Sequence, residues 1–279
     1  MLKVLKSGFF TTLQDEGRFG YRDKGVPVSG VMDVDVVRSA NMLLENDSNA
    51  AVLEITMTGP TLQFDEDTYI TLAGAEFETT LDNEPISNNK VHKVKAGNIL
   101  SYGKLRNGFR AYLAIKNGFK SPKVLGSRSQ YYPITERGSL KDHGELNYGE
   151  CTGFEPKISE LKVRSLLDET VLEVSKGPEF KFLDDTQLED LFKKGFSVAK
   201  EYNRMGYQFN EKIRGHDWSM LTSATLPGTV QLTPSGKLII LMKDGQTTGG
   251  YPRILQLKDK AISILAQKKM GDTITFKLA

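Results

Sequence analysis

A series of short strand-forming runs, each closed by turn-forming residues, limits the fold of this chain more than any other feature. Tyr69-Ile70-Thr71-Leu72-Ala73 runs into a glycine turn, and Phe77-Glu78-Thr79-Thr80-Leu81 runs into Asp82-Asn83. Ala111-Tyr112-Leu113-Ala114-Ile115 meets Asn117-Gly118, and Val171-Leu172-Glu173-Val174 meets Gly177-Pro178. Leu238-Ile239-Ile240-Leu241-Met242 stops at Asp244-Gly245, and Thr273-Ile274-Thr275-Phe276 is the last run. β-Branched and aromatic residues favour extended backbone, while Gly, Asn and Asp accept the dihedrals of tight turns. Hairpin spacing of this kind suits antiparallel barrels better than a parallel sheet, which needs long crossovers. The expected class is mainly β with a few short helices.

Three segments carry helical periodicity. Asp33 is placed to cap a helix whose face holds Val36, Val37, Ala40, Leu43 and Leu44. Thr186-Gln187-Leu188-Glu189 has the spacing of a capping box, with Gly195 as the stop. Leu257, Ala261, Ile264 and Leu265 mark a third amphipathic stretch, followed by Gly271. The polar run 155–164 reads as a linker, so two domains are expected, residues 1–160 and 161–279. Arg18-Phe19-Gly20-Tyr21 is echoed by Arg204-Met205-Gly206-Tyr207, and Lys116-Asn117-Gly118 by Lys243-Asp244-Gly245. The two echoes do not share one offset, which argues against a simple tandem duplication.

Charge and composition narrow the class of partner. The net charge is only +2 and basic residues alternate with acidic ones, so neither nucleic acid nor an acidic membrane surface is expected. The single cysteine, Cys151, forbids an intrachain disulfide and fits a reducing compartment. Lysines interrupt the first six residues, which lack the apolar core of a signal peptide, and a cytoplasmic location is expected.

Self-contained catalytic signatures are missing. Ser235-Gly236-Lys237-Leu238 lacks the upstream glycine and the hydroxyl residue of a phosphate-binding loop. His92, His143 and His216 lie far apart in sequence, and no Gly-x-Ser-x-Gly elbow occurs, so no metal centre is expected. If the chain serves an energy-driven reaction, the nucleotide or carrier belongs largely to another chain.

Four polar constellations stand out instead. The stretch 8–33 is dense in glycine, hydroxyls and opposite charges, with Gln14, Asp15, Arg18, Ser29 and Asp33 as candidates. Asp15 beside Arg18 either locks a tight loop or holds a guanidinium fork toward an anion. Asp244-Gly245-Gln246-Thr247-Thr248-Gly249-Gly250-Tyr251-Pro252-Arg253 follows an apolar strand. It offers Gln246 and Thr247 as hydrogen-bonding groups and Tyr251 as a stacking surface, or else is only a tightly packed connection. Arg204, beside Gly206, suits an anion or a strand edge. Arg128 lies in the short loop Gly126-Ser127-Arg128-Ser129.

Taken in order, these segments resemble a known family. Gly8…Thr11-Thr12-Leu13-Gln14-Asp15-Glu16-Gly17-Arg18 with Gly25-Val26-Pro27-Val28-Ser29-Gly30-Val31-Met32-Asp33 is similar to its N-terminal signature. Gly126-Ser127-Arg128-Ser129 is similar to its middle motif. Asn203-Arg204-Met205-Gly206 and Gln246-Thr247-Thr248-Gly249-Gly250-Tyr251-Pro252 are similar to its C-terminal ones. The family is that of biotin-dependent carboxyltransferase and allophanate hydrolase subunit 2 proteins. It includes the carboxyltransferase region of urea carboxylase, an antagonist of a sporulation kinase inhibitor and the C subunit of 5-oxoprolinase. Asn203 departs from the aspartate common before the Arg-Met-Gly motif.

The resemblance implies two cyclophilin-like β-barrel domains. It implies one component of an ATP-dependent amidohydrolase, inactive alone, that takes part in opening the 5-oxoproline lactam to L-glutamate. The implied partners are a B-type subunit (allophanate hydrolase subunit 1) and an A-type subunit, with ATP and Mg in the assembled complex. Asp15 and Asp33 are then the expected catalytic groups. Gln14, Arg18, Ser29, Arg128, Arg204, Gln246, Thr247 and Tyr251 are expected to bind substrate or nucleotide. The alternatives are a biotin-dependent carboxyltransferase acting on urea or a related amide, with biotin as cofactor, and a non-catalytic regulatory binder of the B-type partner.

Overall fold

The computed structural model describes all 279 residues, and the expected mainly-β class holds. Two compact units account for the chain: residues 1–18 with 29–167, and residues 19–28 with 168–279. This division differs from a single boundary at 160/161. Residues 19–28 group with the later unit, where the Arg22 guanidinium donates to the Thr225 carbonyl. No helix is long and apolar enough to cross a membrane.

The first unit is built on a ten-stranded sheet. Its spine is a pair of long strands, Thr68–Leu81 and Ile99–Ile115, in register from Ile70↔Ile115 to Leu81↔Leu100. The glycine turn expected after Ala73 is instead a bulge inside the first of these strands. Gly74 has φ +77, and a Cβ there would lie 2.5 Å from the Arg110 carbonyl oxygen. The register shifts just beyond it, so the strand bends without ending. Asp82 and Asn83, with φ 49 and 69, do form the expected two-residue turn, between Leu81 and Glu84.

Alternation sorts the two faces of this sheet. Leu53, Ile55, Leu113 and Ile115 point into the core with Leu13, Leu62 and Phe64. Val52, Tyr112 and Ala114 face the other way and pack under the helix Val34–Leu43 through Val37 and Ala40, and under its C-cap Leu44. Asp33 caps that helix, its carboxylate accepting from the Val36 N–H at 3.4 Å. Both faces being covered, every residue of the strand Val52–Thr56 is buried, Glu54 included.

The second unit is a closed seven-stranded barrel. Its circuit runs Val171–Lys176, Arg253–Leu257, Thr229–Leu232, Lys237–Leu241, Gly206–Lys212, Phe196–Tyr202, Thr273–Leu278, and returns to the first strand through a parallel pairing. A two-stranded ribbon, Ser223–Ala224 against Thr248–Gly249, forms a separate small sheet. The helix Asp185–Lys193 begins earlier than its sequence signature indicates. Asp184 is the cap and Gln187 the reciprocal partner, because the Asp184 carboxylate accepts from the Gln187 N–H at 2.8 Å while the Gln187 side chain accepts from the Asp184 N–H at 3.0 Å. The third helix is Asp259–Ala266, and Leu257 belongs to the strand before it.

Candidate functional site

In the first unit the N-terminal signature and the 126–129 loop form one knot around Asp15. The strand Phe10–Gln14 delivers Asp15 to a buried position at the strand end. Its carboxylate accepts four hydrogen bonds: from Ser127 Oγ at 2.5 Å, Ser129 Oγ at 2.7 Å, the Arg128 N–H at 2.7 Å and the Gly17 N–H at 2.9 Å. Arg18, also buried, donates to the Ser129 carbonyl. Gln14 donates to the Gln130 carbonyl at 3.2 Å and to Thr12 Oγ1 at 3.0 Å. The expected grouping of Gln14, Asp15 and Arg18 is thus made through the loop 127–130. The Arg128 guanidinium turns back onto the Ser121 carbonyl, so it is the backbone of Arg128, not its charge, that meets Asp15.

The segment 29–33 is tied to the same knot. The Gly30 N–H donates to Gln14 Oε1 at 3.1 Å, and the Val31 N–H to the Asp15 carbonyl at 2.8 Å. Gly30 has φ +81, and a Cβ on it would meet the Glu16 carbonyl at 2.6 Å, so the close approach needs glycine. Ser29 is fully buried with φ 55, a conformation uncommon outside glycine, and its hydroxyl has no hydrogen-bond partner in the protein.

Asp33 lies in a second buried group. Its N–H donates to the Tyr112 hydroxyl at 3.0 Å, and the Met32 N–H donates to Glu54 Oε2 at 2.8 Å. Arg110 Nε lies 3.8 Å from Glu54 Oε1, and Arg110 and Glu54 are each 1% exposed. Burial, reinforced by the Glu54 and Asp33 carboxylates, pushes the Tyr112 phenol well above its ordinary pKa and keeps it protonated. Sequence reasoning missed Glu54, which interrupts the apolar run 51–55, and Arg110, which stands at the head of the run 111–115. A lone charge in such a run was the available signal.

In the second unit Arg204 is engaged by a carboxylate. Its Nε and Nη2 reach the two Asp244 oxygens at 2.7 and 3.1 Å, a planar two-point pair with both residues buried. Asp244 in turn begins the loop that carries Gln246 and Tyr251, both exposed, and Thr247, which is buried. The Gln246 carbonyl accepts from Thr225 Oγ1 at 2.6 Å, and the Thr247 carbonyl from the Thr225 N–H at 3.0 Å. Arg253 closes the loop through Glu179, with Nε–Oε2 at 3.0 Å and Nη2–Oε1 at 2.9 Å. That guanidinium holds the Glu179 carboxyl below its ordinary pKa. Glu179 lies far from the motif in sequence, and nothing in its neighbourhood marked it.

What these arrangements offer chemically is hydrogen bonding on rigid supports. No three or more His, Cys, Asp or Glu side chains come together in a way that would hold a metal ion. The arginines of the two C-terminal motifs already face carboxylates, so they do not present an open cradle for a triphosphate.

Known proteins match this chain along nearly its whole length. The family model described as carboxyltransferase domain, subdomain A and B, matches residues 24–278. The chain is 35% identical to the C subunit of 5-oxoprolinase from Escherichia coli (strain K12), across 99% of this chain and 90% of that protein. It is 31% identical to urea amidolyase of Saccharomyces cerevisiae, across 99% of this chain but 16% of that one. Among solved structures, that of TTHA0988 superposes with a TM-score of 0.89 at 27% identity, covering 99% of this chain and 55% of the other. Urea amidolyase of K. lactis gives 0.87 at 28% identity, covering 99% and 18%. The chain therefore spans about half of TTHA0988 and under a fifth of the K. lactis amidolyase.

Proposed function

We propose a function from one premise: this chain belongs to the carboxyltransferase domain family, subdomain A and B. Within that family it acts as the C-type component of an ATP-dependent 5-oxoprolinase, which opens the lactam of 5-oxoproline to L-glutamate. The observation that carries this reading is the near end-to-end match with the E. coli protein, in which neither chain has a large segment unmatched.

A lactam carbonyl is a poor electrophile. Transfer of the γ-phosphoryl group of ATP to the lactam oxygen, with loss of ADP, makes the ring carbon a better target for water. One water then adds and the C–N bond breaks, the ring nitrogen leaving as the amine and the carbon remaining as an acyl phosphate; a second water displaces phosphate and gives the amino acid. Since Arg204 faces Asp244 and Arg253 faces Glu179, we assign the triphosphate and its magnesium to a partner chain. This chain supplies hydrogen-bonding groups held in place beforehand, which favour charge developing on the substrate without reorganisation. Asp15 acts as a positioning group, since four donors already hold its carboxylate. Partners of the A and B types complete the assembly.

The S. cerevisiae match also supports a second reading, carboxyl transfer from carboxybiotin to urea or a related amide. The two separate in one assay. The chain is mixed with its candidate A-type and B-type partners, 5-oxoproline and ATP, and each protein is omitted in turn. Glutamate that appears only with ATP and only with this chain present supports the oxoprolinase. A fully assembled complex that releases none overturns it.

A further inference from the structure

Gln231 is the least expected side chain of the second unit. It lies on the barrel strand Thr229–Leu232, opposite Ile239 on one side and Arg253 on the other. Those partners are half-buried, whereas Val230 and Leu232 on the same strand pack inside the barrel and are fully buried. Gln231 therefore projects from the outer wall, yet it too is fully buried. The roof is the two-stranded ribbon. A Cβ built on Gly249 would lie 2.5 Å from Gln231 Nε2 and 3.6 Å from its Cδ, so only a glycine lets the ribbon close over the amide.

Neither Oε1 nor Nε2 of Gln231 has a hydrogen-bond partner within the protein. A buried carboxamide with both ends unsatisfied lowers stability and calls for an explanation. A leucine at this position would fill the space without that loss.

The roof is short: two residue pairs, Ser223↔Gly249 and Ala224↔Thr248, continued by the Thr225 hydrogen bonds to the Thr247 and Gln246 carbonyls. A ribbon that short is not stable by itself. It is held down from outside, by Arg253 Nη1 on the Ala224 carbonyl at 2.6 Å and by the Arg22 guanidinium on the Thr225 carbonyl. A ligand that reaches Gln231 has to displace this cover.

We infer that Gln231 is the recognition group of a ligand subsite beneath the Thr248–Gly249 ribbon, and that the ligand presents a cis-amide edge. A primary carboxamide carries an acceptor and a donor side by side in one plane. Its complement is a group with N–H and C=O on the same edge, as in a lactam or cyclic ureido ring. A trans amide points the two in opposite directions and satisfies only one. The inference rests on the amide-substrate reading above and adds to it the residue that reads the amide.

The test is side-chain amide NMR on the full 15N-labelled chain. Loss of one NH2 pair in Gln231→Met assigns the resonance. Titration with 2-pyrrolidone, a cis-lactam, is expected to shift that pair saturably, with binding about tenfold weaker for the trans amide N-methylacetamide, one hydrogen bond being lost. Gln231→Glu, which keeps the shape and loses the donor, is expected to remove the preference, read on the Thr248 and Gly249 backbone amides, while the ligand-free spectrum elsewhere is unchanged. A Gln231 pair that 2-pyrrolidone leaves unmoved overturns the inference. So does an equal response to both amides, or a pair that keeps its contact with a long-lived buried water at saturating lactam. Binding is read on the chain alone, so the two readings fail separately. A lactam that shifts Gln231 in a protein whose complex makes no glutamate overturns only the oxoprolinase role. Glutamate release with Gln231 unmoved overturns only this subsite.

Discussion

Arg204 and Asp244 meet through two parallel hydrogen bonds, at 2.7 and 3.1 Å, in a site where both are nearly inaccessible to water. The pair joins the Arg-Met-Gly motif to the start of the Gln-Thr-Thr-Gly-Gly loop, and the Asp244 N–H returns to the Arg204 carbonyl at 2.8 Å. Removing one partner leaves the other charge buried and unmatched. Asp244→Ala is expected to lower stability by about 3–5 kcal/mol in urea denaturation. Arg204→Lys, which loses the planar fork, is expected to cost about 1–2 kcal/mol. If both variants unfold at the wild-type midpoint, the pair does not hold the loop.

The Asp15 knot makes a different prediction. Asp15→Ala leaves two hydroxyls and two N–H groups without their acceptor, and is expected to destabilise the first unit by about 3 kcal/mol. Ser127→Ala removes one donor from a carboxylate that keeps three, and is expected to cost about 1 kcal/mol. Thermal unfolding of the two variants measures the ratio. Equal effects would mean that the serine, not the carboxylate, organises the loop.

Glu179 gives a pH dependence whose sign follows from its shift. Its hydrogen bonds with Arg253 lower its folded pKa below the unfolded value. The stabilisation is therefore fully present above the unfolded pKa, near 4.5, and is lost as pH falls through the lower folded value. The stability difference between the wild type and Glu179→Gln is expected to be constant from pH 7 down to about 5 and to shrink at more acid pH. Denaturation midpoints at a series of pH values show this. A difference that grows toward acid would reverse the assignment.

Two glycines with similar dihedrals separate strain from collision. Gly30 and Gly25 have φ +81 and +79, but an added Cβ would meet backbone within 3 Å only at Gly30, while Gly25 has open space. Gly25→Ala is expected to cost about 1 kcal/mol, the left-handed penalty alone. Gly30→Ala is expected to cost at least about 2 kcal/mol more, because the Glu16–Gly17 backbone must move. Equal midpoints for the two variants would show that the knot yields freely.

Turn residues made much of the fold legible, because a tight turn is a local event. Asp82-Asn83 and Asn117-Gly118 adopt left-handed dihedrals where the sequence predicts turns. Asp33 caps its helix for the same reason. Gly74 misled, since a glycine that permits a bulge and one that permits a turn look alike in sequence. Only the facing Arg110 carbonyl distinguishes them. The capping box also slid from Thr186 to Asp184, where two overlapping signals compete for one helix start.

By itself the sequence determined the strand-rich class, the turns, and the glycine and hydroxyl motifs that mark the family. Each of these depends on neighbours along the chain or on a short motif read as a block. Partners distant in sequence were decided only by the tertiary structure. Ser127 and Ser129 reach Asp15 across more than a hundred residues, Glu179 reaches Arg253 across 74, and Glu54 is buried where the Met32 N–H and the Arg110 side chain come to it. The same holds for Gln231, an ordinary polar residue in an alternating strand until the Thr248–Gly249 ribbon closes over it. Whether a polar group is satisfied depends on what surrounds it in three dimensions, and that is information a local pattern does not contain.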